Sequence, residues 1–204
     1  TGTTAWSYAI AGTTFPADGT YTLFVRATDA VGNAGTTSTE FVIDRTKPTG
    51  VGFSTTNITN LRKLEVGDTY SLTYSEAMSP GSIYAGWNGL TVQNVVVRAT
   101  NSGTNDKLTI YTSNYGALLP LGTVALKRGD YITGSMTFGL SGTLSTMTMS
   151  GSSLIIKLGT PSGTPATAAA AANATWTPNA LATDLAGNAA ATTVYTETDL
   201  DSDF

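Results

Sequence analysis

Two short stretches hold residues that a cation could use. Ala27-Thr28-Asp29-Ala30-Val31-Gly32-Asn33-Ala34 returns as Ala182-Thr183-Asp184-Leu185-Ala186-Gly187-Asn188-Ala189, with two of eight positions changed. Asp29 with Asn33, and Asp184 with Asn188, set oxygen ligands at turn spacing, and calcium takes such oxygens. The same residues also build turns. An Asp accepts a backbone N–H two residues on, and Gly-Asn is the pair that best tolerates positive φ. The turn reading is the simpler one, because a calcium site needs further carboxylates and the chain has 14 acids in 204 residues. Calcium is therefore the one cofactor these residues suggest.

Tyr84, Trp87 and Asn88 lie together beside turn residues. Aromatics flanked by amides on a loop can stack against sugar rings, whereas a Trp that pins a β-sheet core is the commoner use. Glu76 is an acid near this loop, but glycoside hydrolysis needs two carboxylates about 5–10 Å apart and no partner stands out in the sequence. The chain has no Cys and no His. That excludes disulfides, thiolate metal sites, thiol nucleophiles and His-based triads within it. The reading is a non-enzymatic protein.

Composition narrows the partners. Ten Lys and Arg stand against 14 Asp and Glu, which argues against nucleic acid, since phosphate binding needs clustered cations. Charged residues make up 12% of the chain, about half the usual share, and Thr, Ser, Gly and Asn replace them. No apolar run approaches the ~20 residues of a membrane span, which argues against direct membrane insertion. The first residue is Thr1 rather than Met, which reads as a processed product or an excised fragment. Four acids (Glu197, Asp199, Asp201, Asp203) crowd residues 197–204. Like charges repel, so an acidic, mobile tail is expected there.

The elements that would position these residues alternate in the manner of strands. Trp6, Tyr8 and Ile10 share one face of a first strand, and Tyr21, Leu23 and Val25 share one face of a second. A third follows over 36–43, and residues 47–50 (Lys-Pro-Thr-Gly) read as a linker. A second module spans 51–196. Its strands are expected over 70–74, 91–98, 107–112, 124–127, 136–140, 143–149, 154–158, 174–182 and 191–196. Residues 159–174 contain only Pro, Gly, Ser, Thr, Ala and Asn173, and read as an extended loop.

The run Asp18-Gly19-Thr20-Tyr21-Thr22-Leu23, with Val25 to Asn33, Phe41-Val42-Ile43-Asp44 and Lys47-Pro48-Thr49, resembles the closing half of a bacterial immunoglobulin-like (Big-type) domain. Tyr74-Ser75-Glu76-Ala77-Met78-Ser79-Pro80 and Asp184-Leu185-Ala186-Gly187-Asn188 resemble the opening and closure of another domain of that type. The resemblance implies an all-β chain of tandem immunoglobulin-like β-sandwiches. The first, residues 1–46, is incomplete, because such a module needs about seven strands. The second is enlarged by an insertion. It also implies an extracellular role at the bacterial cell surface, as part of an adhesin, stalk, surface layer or filament. Partners would then be other protein subunits or cell-surface components, with glycan as the alternative ligand. The missing strands would come from chain preceding Thr1 or from another subunit.

Overall fold

The computed structural model describes residues 7–198 and Phe204. The chain is nearly all β, its strands paired antiparallel, and it divides into two compact units, residues 1–46 and 47–204.

Unit 1 is a hairpin. β1 (Gly19–Thr28) pairs with β2 (Ala34–Ile43) along its whole length, in the register Tyr21↔Phe41 and Val25↔Thr37. Alternation puts Tyr21, Leu23, Val25, Phe41 and Ile43 on one face. Phe15 covers one end of that face, its ring 4.7 Å from Tyr21 and 5.3 Å from Phe41. Arg45 ties the base together: its guanidinium donates to Asp18 at 2.8 Å and to the carbonyls of Gly12 and Phe15. Even so, no described residue of this unit is buried. The strand expected through Tyr8 and Ile10 is absent. Residues 7–11 form no ladder, and Tyr8 and Ile10 are exposed. Alternation supplies an apolar face, but a strand also needs a neighbour's backbone, and these residues find none. Trp6 lies outside the described residues.

Unit 2 is one antiparallel sheet wrapped around a core. Its strands are β3 (Gly50–Thr56), β4 (Thr69–Tyr74), β5 (Gln93–Thr100), β6 (Lys107–Thr112), β7 (Thr123–Ala125), β8 (Met136–Phe138), β9 (Ser145–Ser150), β10 (Ser153–Lys157), β11 (Thr175–Thr177) and β12 (Tyr195–Thr196). They are ordered β12-β11-β7-β6-β5-β9-β10-β4-β3. β5 is the hub. β6 lies along one edge, while the other is divided between β9 at Gln93–Val95 and β8 at Val97–Ala99. Val95, Val96 and Val97 are all fully buried, as expected of a strand covered on both faces.

The two ends of the strand path meet. β3 packs against β11 and β12, and the Ala191 N–H donates to the Pro48 carbonyl at 2.8 Å. Gly50 permits this approach, since a Cβ there would lie 2.9 Å from the Trp176 ring. Trp176 is the central anchor: fully buried, edge-on to Tyr74 at 4.8 Å, and donating from Nε1 to the Leu121 carbonyl at 2.8 Å. Residues 47–50, expected as a linker, are thus built into unit 2, with Thr49 bonded through both backbone groups to Ser75.

The long loops are fixed by buried carboxylates. Asp68 accepts the N–H groups of Ile58 at 2.9 Å and Glu65 at 2.7 Å. Asp106 accepts those of Tyr131 at 3.1 Å and Ile132 at 3.2 Å. Both are fully buried, and burial pushes both carboxyls above the usual carboxylate range, against the lowering effect of these N–H donors. Asp130, facing Asp106, adds a like charge that acts in the same direction.

A raised carboxyl binds its proton more readily in the folded chain than in the unfolded one. Its contribution to stability is therefore complete at low pH and falls as pH rises from the unfolded to the folded pKa. Asp106→Asn removes this titration. The stability of the parent chain relative to that variant should decline as pH rises through that window and level off above it, as read from urea unfolding at a series of pH values.

Candidate functional site

The two repeated stretches fold alike. In the first, Asp29 Oδ1 accepts the Asn33 N–H at 2.8 Å and Oδ2 accepts the Asn33 side-chain amide at 2.8 Å. In the second, Asp184 makes the same two bonds to Asn188, each at 2.8 Å. Backbone bonds match as well: Asp29 N–H to the Asn33 carbonyl at 2.9 Å, and Asp184 N–H to the Asn188 carbonyl at 3.1 Å. Positive φ falls on Gly32 (94°) and Gly187 (93°) and not on the Asn residues. Asn33 and Asn188 therefore serve the turn through their amides, which differs from the role the Gly-Asn pair suggests.

This geometry bears directly on calcium. A cation needs lone pairs, and here each Asp oxygen already faces an N–H donor, while each Asn turns its NH₂ toward the Asp. Hydrogen bonds from Asn33 hold the Asp29 carboxyl below its usual range. Within the turns, each Asp oxygen therefore accepts at least one N–H.

The second turn sits at a corner that the first does not have. The segment 74–80 meets it through a bridge between Met78 and Asp184. The Ser79 N–H donates to the Thr183 carbonyl at 2.8 Å, and the Thr183 N–H donates to Ser82 Oγ at 3.0 Å. Pro80 starts α1 (Pro80–Ile83), a single turn leading to Trp87. Here Glu76 and Asp184 each bring a carboxylate oxygen to within 4.8 Å of the other. No acidic partner for Glu76 is evident in the sequence, because more than a hundred positions separate the two residues. Asp184 is only 2% exposed.

Trp87 is 4% exposed, and its Nε1 donates to the Thr91 carbonyl at 2.7 Å. Its ring packs in the core and presents no face for a sugar to stack on. Tyr84 is partly buried against the same core. Asn88 is exposed, with Oδ1 accepting the Leu90 N–H at 3.0 Å to make a local turn. The structure brings the three residues together as a packed corner rather than an open platform.

The acidic segment 197–204 also differs from a solvated tail at both described ends. Glu197 is 6% exposed, and its Oε2 accepts the Ala174 N–H at 3.2 Å. Phe204 is fully buried. Asp199, Asp201 and Asp203 lie outside the described residues. Buried Asp68 and Asp106 were not evident as loop clamps. Each stands at a turn, after Gly67 and Asn105, where an acid ordinarily reads as solvent-facing.

Among the described residues no helix is long and apolar enough to cross a membrane. Compared with protein-family models, curated proteins and solved structures, the chain matches none of them.

Burial of the Trp87 ring sets a clear expectation. Trp87→Ala should lower stability by about 3–5 kcal/mol, the usual cost of deleting a core aromatic. Thermal and urea unfolding would measure it, and a loss below about 1 kcal/mol would show that the ring is not part of the core.

Proposed function

We propose that this chain is a non-enzymatic, extracellular part of a bacterial cell-surface protein built from immunoglobulin-like modules, with the role of an adhesin, stalk, surface-layer or filament subunit. The sheet of unit 1 takes its missing strands either from chain preceding residue 1 or from a neighbouring copy, and in the second case its function lies in assembly. One observation carries this reading. Residues 19–43 form two ten-residue strands with a continuous apolar stripe, yet no described residue of unit 1 is buried.

A groove of about 470 Å³ runs beside β1, lined by Tyr8, Ile10, Leu23, Phe24 and Val25. Among the described residues, neither β1 nor β2 pairs with any strand but the other. A long strand with an open edge and an apolar face is the surface on which β-strand addition works: main-chain bonds supply affinity and alternate side chains supply specificity. The Thr-rich, low-charge composition and the lack of Cys suit a long-lived surface protein.

A second reading, calcium binding at the corner of Glu76 and Asp184, draws on the approach of those two carboxylates. Two like charges this close favour a shared cation, although calcium needs six to eight oxygens in all.

Sedimentation velocity over a range of concentrations, first with calcium and then with chelator, tests both. Association that persists in chelator and is lost in the double variant Leu23→Asp, Val25→Asp is the expected result. A monomer at every concentration would contradict assembly through unit 1. Association that needs calcium and is lost in Glu76→Gln would favour the second reading.

A further inference from the structure

The middle of the chain is short of acids. Residues 77–183 carry five Lys and Arg but two acids, Asp106 and Asp130, in a chain that is acidic as a whole. Asp106 is buried, and Asp130 is paired with Arg128. Alternation puts Arg98 and Thr100 of β5, with Lys107 and Tyr111 of β6, on the face opposite the core residues Val97, Ala99, Leu108 and Ile110. Neither Arg98 nor Lys107 forms an ion pair among the described residues.

The loop after β6 folds back onto this face. Tyr115 holds φ at 58°, a left-handed conformation that disfavours a bulky side chain, although Gly116 follows it directly. Its N–H donates to the Thr112 carbonyl at 2.8 Å, and its ring lies against Tyr111 with centroids 4.6 Å apart and planes at 54°. The Tyr115 hydroxyl accepts from Arg98 Nη1, and Thr100 Oγ1 accepts from Arg98 Nε at 3.2 Å. Two hydroxyls thus hold the guanidinium in one orientation and leave Nη2 for an acceptor from outside. Asn114 spends Oδ1 on the Thr112 hydroxyl at 2.7 Å and the Gly116 N–H at 3.0 Å, which leaves its NH₂ group to donate. Arg98, Tyr111 and Tyr115 are partly exposed, and Lys107 and Asn114 are exposed.

We propose that this face binds an acidic sugar, one whose ring carries a carboxylate, as in a uronic-acid polysaccharide. Arg98 Nη2 and Lys107 meet the carboxylates through charge-assisted hydrogen bonds. Tyr111 and Tyr115 offer ring surface to the sugar C–H groups, and the Asn114 amide donates to a sugar hydroxyl. An acidic peptide is the poorer fit: β5 and β6 each have a strand on either side, so neither offers an open edge for strand addition. The site lies within unit 2 and is independent of any assembly through unit 1.

Isothermal titration of the full chain with a galacturonate oligomer, in chelator to keep calcium out, tests this. The acid oligomer should bind, and the methyl-esterified oligomer, with the same rings but no charge, should bind at least about tenfold more weakly. Arg98→Ala and Lys107→Gln should each weaken binding of the acid oligomer by about tenfold. Tyr115→Asn, which suits left-handed backbone, should weaken it too while circular dichroism shows the fold intact. Lys47→Gln, which removes an exposed cation elsewhere, should change nothing. An acid oligomer that does not bind would overturn the proposal, as would equal binding of the ester or equal competition by oligoglutamate. Should Arg98→Ala fail to fold, Lys107→Gln carries the test, and unchanged affinity in that variant would overturn the proposal.

Discussion

A β-sheet with one apolar face is stable only when that face is covered, and the chain meets this constraint within unit 2 but not among the described residues of unit 1 taken by itself. Unit 2 covers itself. Its strand path curls until β3 lies against β11 and β12, and the contact is made where Gly50 lets the Trp176 ring approach the backbone. Trp176 in turn bonds the Leu121 carbonyl and packs edge-on against Tyr74, so one residue ties three parts of the wall together. Unit 1 has the strands and the apolar stripe but no second layer among its described residues. Phe15 shields one end of the stripe, and the rest is open.

Carboxylates are the other recurring device. In a chain with few charges, three of the described aspartates are nearly or fully buried, and each is used to hold backbone or amide N–H groups. Burying a carboxylate is costly unless it is hydrogen-bonded. The return is order in loops that the short strands cannot supply. The loop 57–67 is fastened by Asp68, the loop 126–132 by Asp106, and the closing turn by Asp184. Asp29 and Asp184, whose oxygens suggest metal binding in the sequence, also accept the N–H groups that hold their turns. Tyr70 and Tyr74 show the opposite case: both hydroxyls are buried without a hydrogen-bond partner among the described residues, and these residues act in the core through their rings.

Much of unit 2 was legible because its strands combine alternation with turn residues. Lys107–Thr112 forms β6 with the expected bounds, and the repeated Asp-to-Asn stretches fold as the same turn twice. The misses have separate physical causes. The strand expected over 174–182 ends at Thr177, since Pro178 has no N–H to continue a ladder. β3 was hidden by Gly50 and Gly52, which dilute its alternation and mark a bulge. Phe204 was masked by the acids before it: charge pattern describes a segment's average, whereas one aromatic ring can be captured by a site built elsewhere in the chain. The approach of Glu76 to Asp184 is a product of the closed strand path and has no local signature.

The most direct test of the proposed assembly is amide hydrogen exchange across residues 19–43 at low and at high protein concentration. Strand addition to unit 1 predicts that the outward-pointing amides of β1 or β2, fast to exchange when the chain is dilute, become protected when it is concentrated, while those of unit 2 stay unchanged. Exchange over 19–43 that is independent of concentration, in samples spanning micromolar to millimolar protein, would contradict it.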